Sequence, residues 1–146
     1  AFDPQYEGTD SYVNQMGTLN GMPVACAAGL ATLSELRKKG TYERLRATSR
    51  KLREALELLL KEAEIPAQIC GDDPIFDVYF TEHPITTYRS TLVADKKMMG
   101  RFNAILLEQG VLKGWPQNFY PSLAHTEEDV EQTLRAFEAT VGRLKG

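Results

Sequence analysis

The amino-acid sequence predicts an α+β fold in which helices cover a small, mainly antiparallel sheet. Apolar residues recur at threes and fours in three long stretches, beginning near residues 41, 93 and 126, which is helical spacing. One short segment, Phe76-Asp77-Val78-Tyr79-Phe80, alternates with the period of two that marks a half-buried strand. Glycines and prolines fall between these stretches and separate them.

Taken in order, residues 1–21 carry the turn formers Pro4, Gly8, Asp10, Asn14, Gly17, Asn20 and Gly21 without periodicity and read as an extended loop. A run of this length without structure is uncommon in a compact domain and marks a functional loop or a missing partner surface. From Pro23, at a first helical position, a helix rich in small residues (Ala25, Ala27, Ala28, Gly29, Ala31) runs to Lys38, Lys39 and Gly40, a basic end followed by a stop. Small side chains let another backbone approach closely, so this helix suits tight packing on a larger body. A second helix, 41–64, lays Leu45, Leu52, Leu56, Leu59 and Ala63 on one face and Arg44, Arg50, Lys51, Glu54, Glu57 and Lys61 on the solvated one.

Ala67–Cys70 reads as a short strand and Gly71–Pro74 as a turn. Phe76, Val78 and Phe80 then point inward while Asp77, Tyr79 and Thr81 point out. A third helix over 93–109 has Met98, Phe102, Ile105 and Leu106 as its buried positions, and Gly110 ends it. Val111 and Leu112 begin another strand, and 119–123 returns as a strand or near-strand. Thr126 caps the last helix, whose Glu127, Glu128 and Asp129 complement the helix dipole and whose stripe is Val130, Leu134, Phe137, Val141 and Leu144.

Composition narrows the function. At 146 residues, 42% hydrophobic and 25% charged, the chain is an ordinary globular domain rather than a disordered or fibrous one. Its 17 basic and 20 acidic residues give a net charge of −3, which offers no general hold on a nucleic-acid backbone. The most apolar run, 24–33, is far short of a membrane span, and the first residues lack the basic and apolar regions of a signal peptide. The opening Ala1 does not resemble a natural start. Cys26 and Cys70 lack metal-ligand spacing and read as buried, reduced thiols of a cytoplasmic protein.

Few residues suggest chemistry by themselves. His83 reads as a solvated loop histidine, and His125, just before a capped helix, as one that bonds a loop carbonyl and fixes the chain's entry. No metal motif or nucleophile elbow is present, so neither a metal nor a catalytic residue is assigned. In Gly17-Thr18-Leu19-Asn20-Gly21-Met22-Pro23 a flexible glycine and a hydroxyl stand ahead of a helix, as a phosphate site requires, although the same residues also make a plain turn. Trp115 and Tyr120 could stack on a ligand or anchor the core.

Several segments together resemble the C-terminal portion of a class III pyridoxal-phosphate-dependent aminotransferase, the group that includes glutamate-1-semialdehyde aminomutase. They are the 17–23 segment, Ala27-Ala28-Gly29-Leu30-Ala31-Thr32-Leu33, Tyr88-Arg89 with Asp95, Leu106-Leu107-Glu108-Gln109-Gly110-Val111, and the run from Phe119 to Asp129. The resemblance implies the C-terminal small domain of a fold-type I enzyme over 41–146. Residues 1–40 would be the interface loop and helix that end its large domain. It also implies a homodimer using pyridoxal 5'-phosphate, with Gly17 and Thr18 contacting the cofactor phosphate of the other subunit. An amino group would move between an amine or amino acid and a carbonyl compound.

Two features depart from the family pattern. Met22 stands where an asparagine usually precedes the proline. The lysine that joins the cofactor lies upstream of Gly-Thr in such enzymes, and residues 1–16 contain none. The eight lysines, at 38, 39, 51, 61, 96, 97, 113 and 145, fall mostly on polar helix faces or helix ends. The chain alone is therefore expected to be inactive and to need the missing upstream part of the enzyme. Gln117, about where the aminomutases carry a glutamate, argues for an ordinary aminotransferase. A stand-alone α+β interaction or regulatory module is the alternative reading.

Overall fold

The computed structural model describes residues 5, 8, 9, 17–113 and 118–145. The chain divides into two compact units, Ala1–Lys39 and Gly40–Gly146. The first contains α1, Pro23–Leu36, with Pro23 in its first turn, where a missing N–H costs nothing. None of the residues of α1 is buried. Cys26, expected to be a buried thiol, is exposed, because its helix is uncovered; Cys70 is half-buried, and both are free thiols.

The second unit holds α2 (Thr41–Glu62), β1 (Gln68–Asp72), β2 (Ile75–Tyr79), a 3-10 segment (Tyr88–Val93), α3 (Lys96–Glu108) and α4 (Glu127–Lys145). α2 and α3 both pack on α4, and the hairpin of β1 and β2 closes the core. Leu56, Val78, Phe102, Leu106 and Phe137 sit at its centre, fully buried or nearly so. Phe119 joins the core by stacking on Phe76 at 4.9 Å and meeting Phe137 edge-on at 5.6 Å.

The sheet is an antiparallel pair registered Cys70 opposite Asp77 and Asp72 opposite Ile75. The strand therefore runs on through Gly71 and Asp72, and the turn is only Asp73-Pro74. Gly71 makes this possible at φ +119, since a Cβ there would collide with the Ile75 carbonyl oxygen. Arg50 and Arg53 then hold the hairpin tip against α2 by gripping the Asp73 carboxylate at 2.6 and 3.1 Å.

The expected later strands shrink to one bridge, Phe76 with Phe119. The Phe119 N–H donates to the Phe76 carbonyl at 2.8 Å. Continuing that ladder would bring Pro121 opposite Pro74, and neither has an N–H to donate. Val111 and Leu112 form no strand, because the Val111 N–H bonds back to the Leu106 carbonyl at 3.1 Å as part of the end of α3. α3 begins at Lys96 rather than 93. Asp95 caps it by accepting from the Lys97 and Met98 amides, and the preceding turn is a 3-10 segment capped by Thr87. Met99 takes the buried position expected of Met98, which is half-covered. On α2 the buried leucines are Leu52, Leu56 and Leu60, while Leu45, Leu59 and Ala63 are half-buried.

Candidate functional site

Residues 17–22 form a tight turn directly ahead of α1. The Asn20 N–H donates to the Gly17 carbonyl at 3.0 Å and the Met22 N–H to the Leu19 carbonyl at 3.2 Å. Gly17 adopts φ +148 and Gly21 φ +77, both glycine territory. A Cβ on Gly17 would stand 2.9 Å from the Asn20 amide, so the approach to Asn20 also requires glycine. Thr18 is exposed at the apex of the turn. Met22 occupies the N-cap of α1 without a side-chain cap bond, since a thioether cannot serve the first-turn amides as an asparagine would. A threonine hydroxyl on a bent backbone, at the positive end of a helix dipole, is a donor set suited to a phosphate.

The following helix is apolar almost all round. Val24 is 73% exposed and Leu30 67%. A helix of this composition is ordinarily a buried one.

In the second unit a buried ion pair occupies the side of β2 expected to face solvent. The Lys113 ammonium lies 2.5 Å from Asp77 Oδ1, with both side chains at least 95% covered. The Val78 N–H also donates to Asp77 Oδ1, and Lys113 lies 5.0 Å over the Phe119 ring. Burial pushes the Asp77 carboxyl up and the Lys113 ammonium down, each toward its neutral form, against the attraction of its partner. The pair is not foreseen from the sequence, where Asp77 is expected to point out and Lys113 is assigned no structural role. The available signal was an aspartate in the middle of an otherwise apolar strand, which demands a partner if it is buried. The other seven lysines are exposed.

Beside this pair a cavity of about 480 Å³ opens between β2, the 3-10 segment and the start of α3, with Asp77, Tyr79, Tyr88, Leu92, Asp95 and Asn118 among its lining residues. The Asn118 amide donates to the Tyr120 hydroxyl at 3.0 Å.

The histidines stay apart from all of this. His125 is a fastener: its Nδ1 accepts from the Ser122 N–H at 2.9 Å, and the carbonyl of the same serine lies 3.3 Å away. Thr126 and Asp129 exchange hydrogen bonds across the first turn of α4, which holds the Asp129 carboxyl below its ordinary value. His83 is exposed in a loop. Among the described residues no group of histidine, cysteine and carboxylate side chains is placed to hold a metal ion. No described helix is long and apolar enough to cross a membrane. Trp115 and Gln117 lie outside the described residues.

No family model matches the chain. It is 35% identical over 135 residues to the glutamate-1-semialdehyde 2,1-aminomutase of Desulfosudis oleivorans, a match covering 90% of this chain and 31% of the relative. It is 40% identical over 127 residues to glutamate-1-semialdehyde 2,1-aminomutase 2 of Brevibacillus brevis, covering 85% of this chain and 29% of that one. The chain thus spans about a third of the length of the curated relatives it matches. Among solved structures, an omega-transaminase from Sphaerobacter thermophilus superposes with a TM-score of 0.81 at 27% identity, over 99% of this chain and 33% of that one. A glutamate-1-semialdehyde aminomutase from Pseudomonas aeruginosa shares the fold, with a TM-score of 0.78 at 22% identity over 92% of this chain and 31% of that chain.

Proposed function

We propose, for a chain that corresponds to the C-terminal portion of an enzyme of the aminotransferase and glutamate-1-semialdehyde aminomutase family, that it serves an enzyme moving an amino group between an amine or amino acid and a carbonyl compound. The observation that carries this reading is identity of 35% sustained along 90% of the chain. Pyridoxal phosphate would supply the electron sink for that chemistry, and this chain's share is to bind and position the cofactor. Gly17 and Thr18 hold its phosphate, the threonine by its hydroxyl and the glycine by letting the backbone bend close. By the family likeness, that phosphate belongs to the site of the other subunit of a homodimer.

Residues 1–40 are then the end of the large domain and 41–146 the small domain. An apolar helix with no buried residue supports this assignment, because the large domain and the second subunit would provide the cover that α1 lacks. The lysine that anchors the cofactor comes from outside this chain. Seven of its lysines are at the surface, and Lys113 is committed to Asp77 in the core. The chain alone is therefore inactive. Free thiols at Cys26 and Cys70 suit a cytoplasmic enzyme.

The test is Thr18→Ala in the full-length enzyme. Loss of one hydrogen bond to a charged acceptor is worth about 1.5–3 kcal/mol, which is about a tenfold to hundredfold weaker hold on the cofactor. Cofactor absorbance retained after dialysis reads this directly, with Thr18→Ser, which keeps the hydroxyl, retaining most of the affinity. Equal retention by Thr18→Ala and wild type returns Gly17 and Thr18 to plain turn formation.

A further inference from the structure

The 17–23 segment holds a feature that the phosphate site leaves unused, the dipeptide Asn20-Gly21. Asparagine before glycine is chemically labile, because no side chain on the second residue keeps its amide nitrogen from the asparagine side-chain carbonyl. Both residues are exposed. The Gly21 N–H donates to no described residue, and a Cβ at Gly21 would meet nothing within 4 Å, so this nitrogen is unhindered. The other described asparagines differ. Asn103 is followed by Ala104 inside α3, whose amides are spent on the helical ladder, and Asn118 by Phe119, whose N–H is given to the Phe76 carbonyl at 2.8 Å. Asn14 lies outside the described residues.

We propose that Asn20-Gly21 is a self-modification site, at which Asn20 becomes aspartate or isoaspartate and leaves a carboxylate in the turn proposed for the cofactor phosphate. The Gly21 nitrogen gives its proton to hydroxide and attacks the Asn20 Cγ. The new C–N bond closes a five-membered imide ring, and the bond from Cγ to Nδ2 breaks as ammonia leaves with a proton taken from water. A second water then opens the ring at either carbonyl. The balance is one water in and one ammonia out, with no change of oxidation state.

Position makes the change matter. The Asn20 amide folds back toward Gly17, since a Cβ on Gly17 would stand 2.9 Å from it. A carboxylate there lies in the same turn as Thr18 at the positive end of α1, where it repels a phosphate and competes with it for the helix dipole. This consequence rests on the proposed phosphate site, whereas the modification itself does not. Bound cofactor and a second subunit would shield the turn, so the cofactor-free enzyme is the form that ages.

The experiment incubates the full-length enzyme, stripped of cofactor, at mildly alkaline pH and reads the conversion of amide to acid by peptide mass spectrometry. Acid and isoaspartate at position 20 are expected to accumulate at least about tenfold faster than at Asn103 and Asn118, whose following amides are held by structure. A smaller ratio overturns the proposal. Asn20→Gln, which could cyclise only through a less favourable six-membered ring, is expected to abolish the conversion at position 20, and an undiminished rate in that variant overturns the ring-closure chemistry. The consequence is read with Asn20→Asp in the full-length enzyme, which is expected to hold cofactor at least about tenfold less tightly after dialysis. Equal retention by Asn20→Asp and wild type overturns the consequence. If Thr18→Ala also retains cofactor as wild type does, the phosphate site itself fails, and the rate at Asn20 still decides the modification.

Discussion

α1 and α4 are helices of similar length, 14 and 19 residues, built to opposite plans. α4 keeps Val130, Phe137, Val141 and Leu144 on one buried face, with acids in its first turn and Arg143 and Lys145 in its last. α1 spreads Val24, Leu30 and Leu33 and its alanines around the cylinder, has no acid in its first turn, and buries none of them. The difference is one of address rather than quality. α4 is written for a surface position on a small core that this chain supplies, whereas α1, on the proposed reading, is written for the interior of a larger enzyme.

The largest expected effect probes the core on which α4 packs. Lys113→Met in the 146-residue chain strands a buried carboxylate and is expected to cost about 3–5 kcal/mol, read as a lower midpoint in urea unfolding. Burial raises Asp77 and lowers Lys113, so the surroundings oppose the charged form of both groups. Replacing both at once, Asp77→Leu with Lys113→Met, is therefore expected to restore stability to wild type or above it. If the double variant is as unstable as the single, the pair contributes more than it costs and the account of it is wrong.

Next, Leu56→Ala and Leu30→Ala separate the two addresses. Leu56 is fully buried, and its truncation in the 146-residue chain is expected to cost about 2–5 kcal/mol. Leu30→Ala is expected to change the same chain by no more than about 0.5 kcal/mol, as at an ordinary surface site. In the full-length enzyme Leu30→Ala should become costly. A similar loss from both substitutions in the short chain would erase the distinction.

Acid sensitivity of the second unit should come from three hydrogen-bonded carboxylates, Asp72, Asp73 and Asp129. Hydrogen bonds from Arg46 to Asp72, from Arg50 to Asp73 and from Thr126 to Asp129 hold these three below the ordinary carboxylate range. A lowered folded value means stability that is present above the unfolded value of about 4 and is lost as pH falls through the folded values. The urea midpoint is expected to be flat from pH 7 to 5 and to decline below about 4. In Asp73→Asn that decline should be shallower, starting from a lower plateau.

The smallest effect is a gain. Glu64 ends α2 at φ +58, the only described non-glycine residue at positive φ, with its N–H bonded to Lys61 and the Ile65 N–H to Leu60. Glu64→Gly removes the left-handed strain and is expected to raise stability by about 0.5–1 kcal/mol, seen as a small upward shift of the same midpoint.

Much of this was legible in sequence. Helical period located α2, α3 and α4 because each wraps one face on a shared core, and alternation located β2 for the same reason. Thr126 and Asp129 announced the start of α4 by residue type alone. Pairing across the chain was not legible. Nothing local to Lys113 says that its ammonium turns inward to Asp77, 36 residues earlier, and the shrinking of the 119–123 strand to one bridge depends on Pro121 falling opposite Pro74. The start of α3 slipped by three residues because Tyr88–Val93 has helix-like content but a 3-10 geometry set by Thr87 and Asp95. For the candidate site, the glycines of 17–21 identified a turn, and the proposal that Gly17 and Thr18 hold a cofactor phosphate came from the likeness of the whole chain.

Hydrogen exchange along α1 tests most directly the central proposal that this chain joins a small buried core to a helix built for burial in a larger enzyme. In the 146-residue chain the amides of Pro23–Leu36 beyond its first turn are expected to exchange at near-unprotected rates, while those of α2 and α4 are protected to the level of global unfolding. In the full-length enzyme the same α1 amides should slow by about a hundredfold or more. Strong protection of α1 in the short chain, or fast exchange of α1 in the full-length enzyme, would contradict the account.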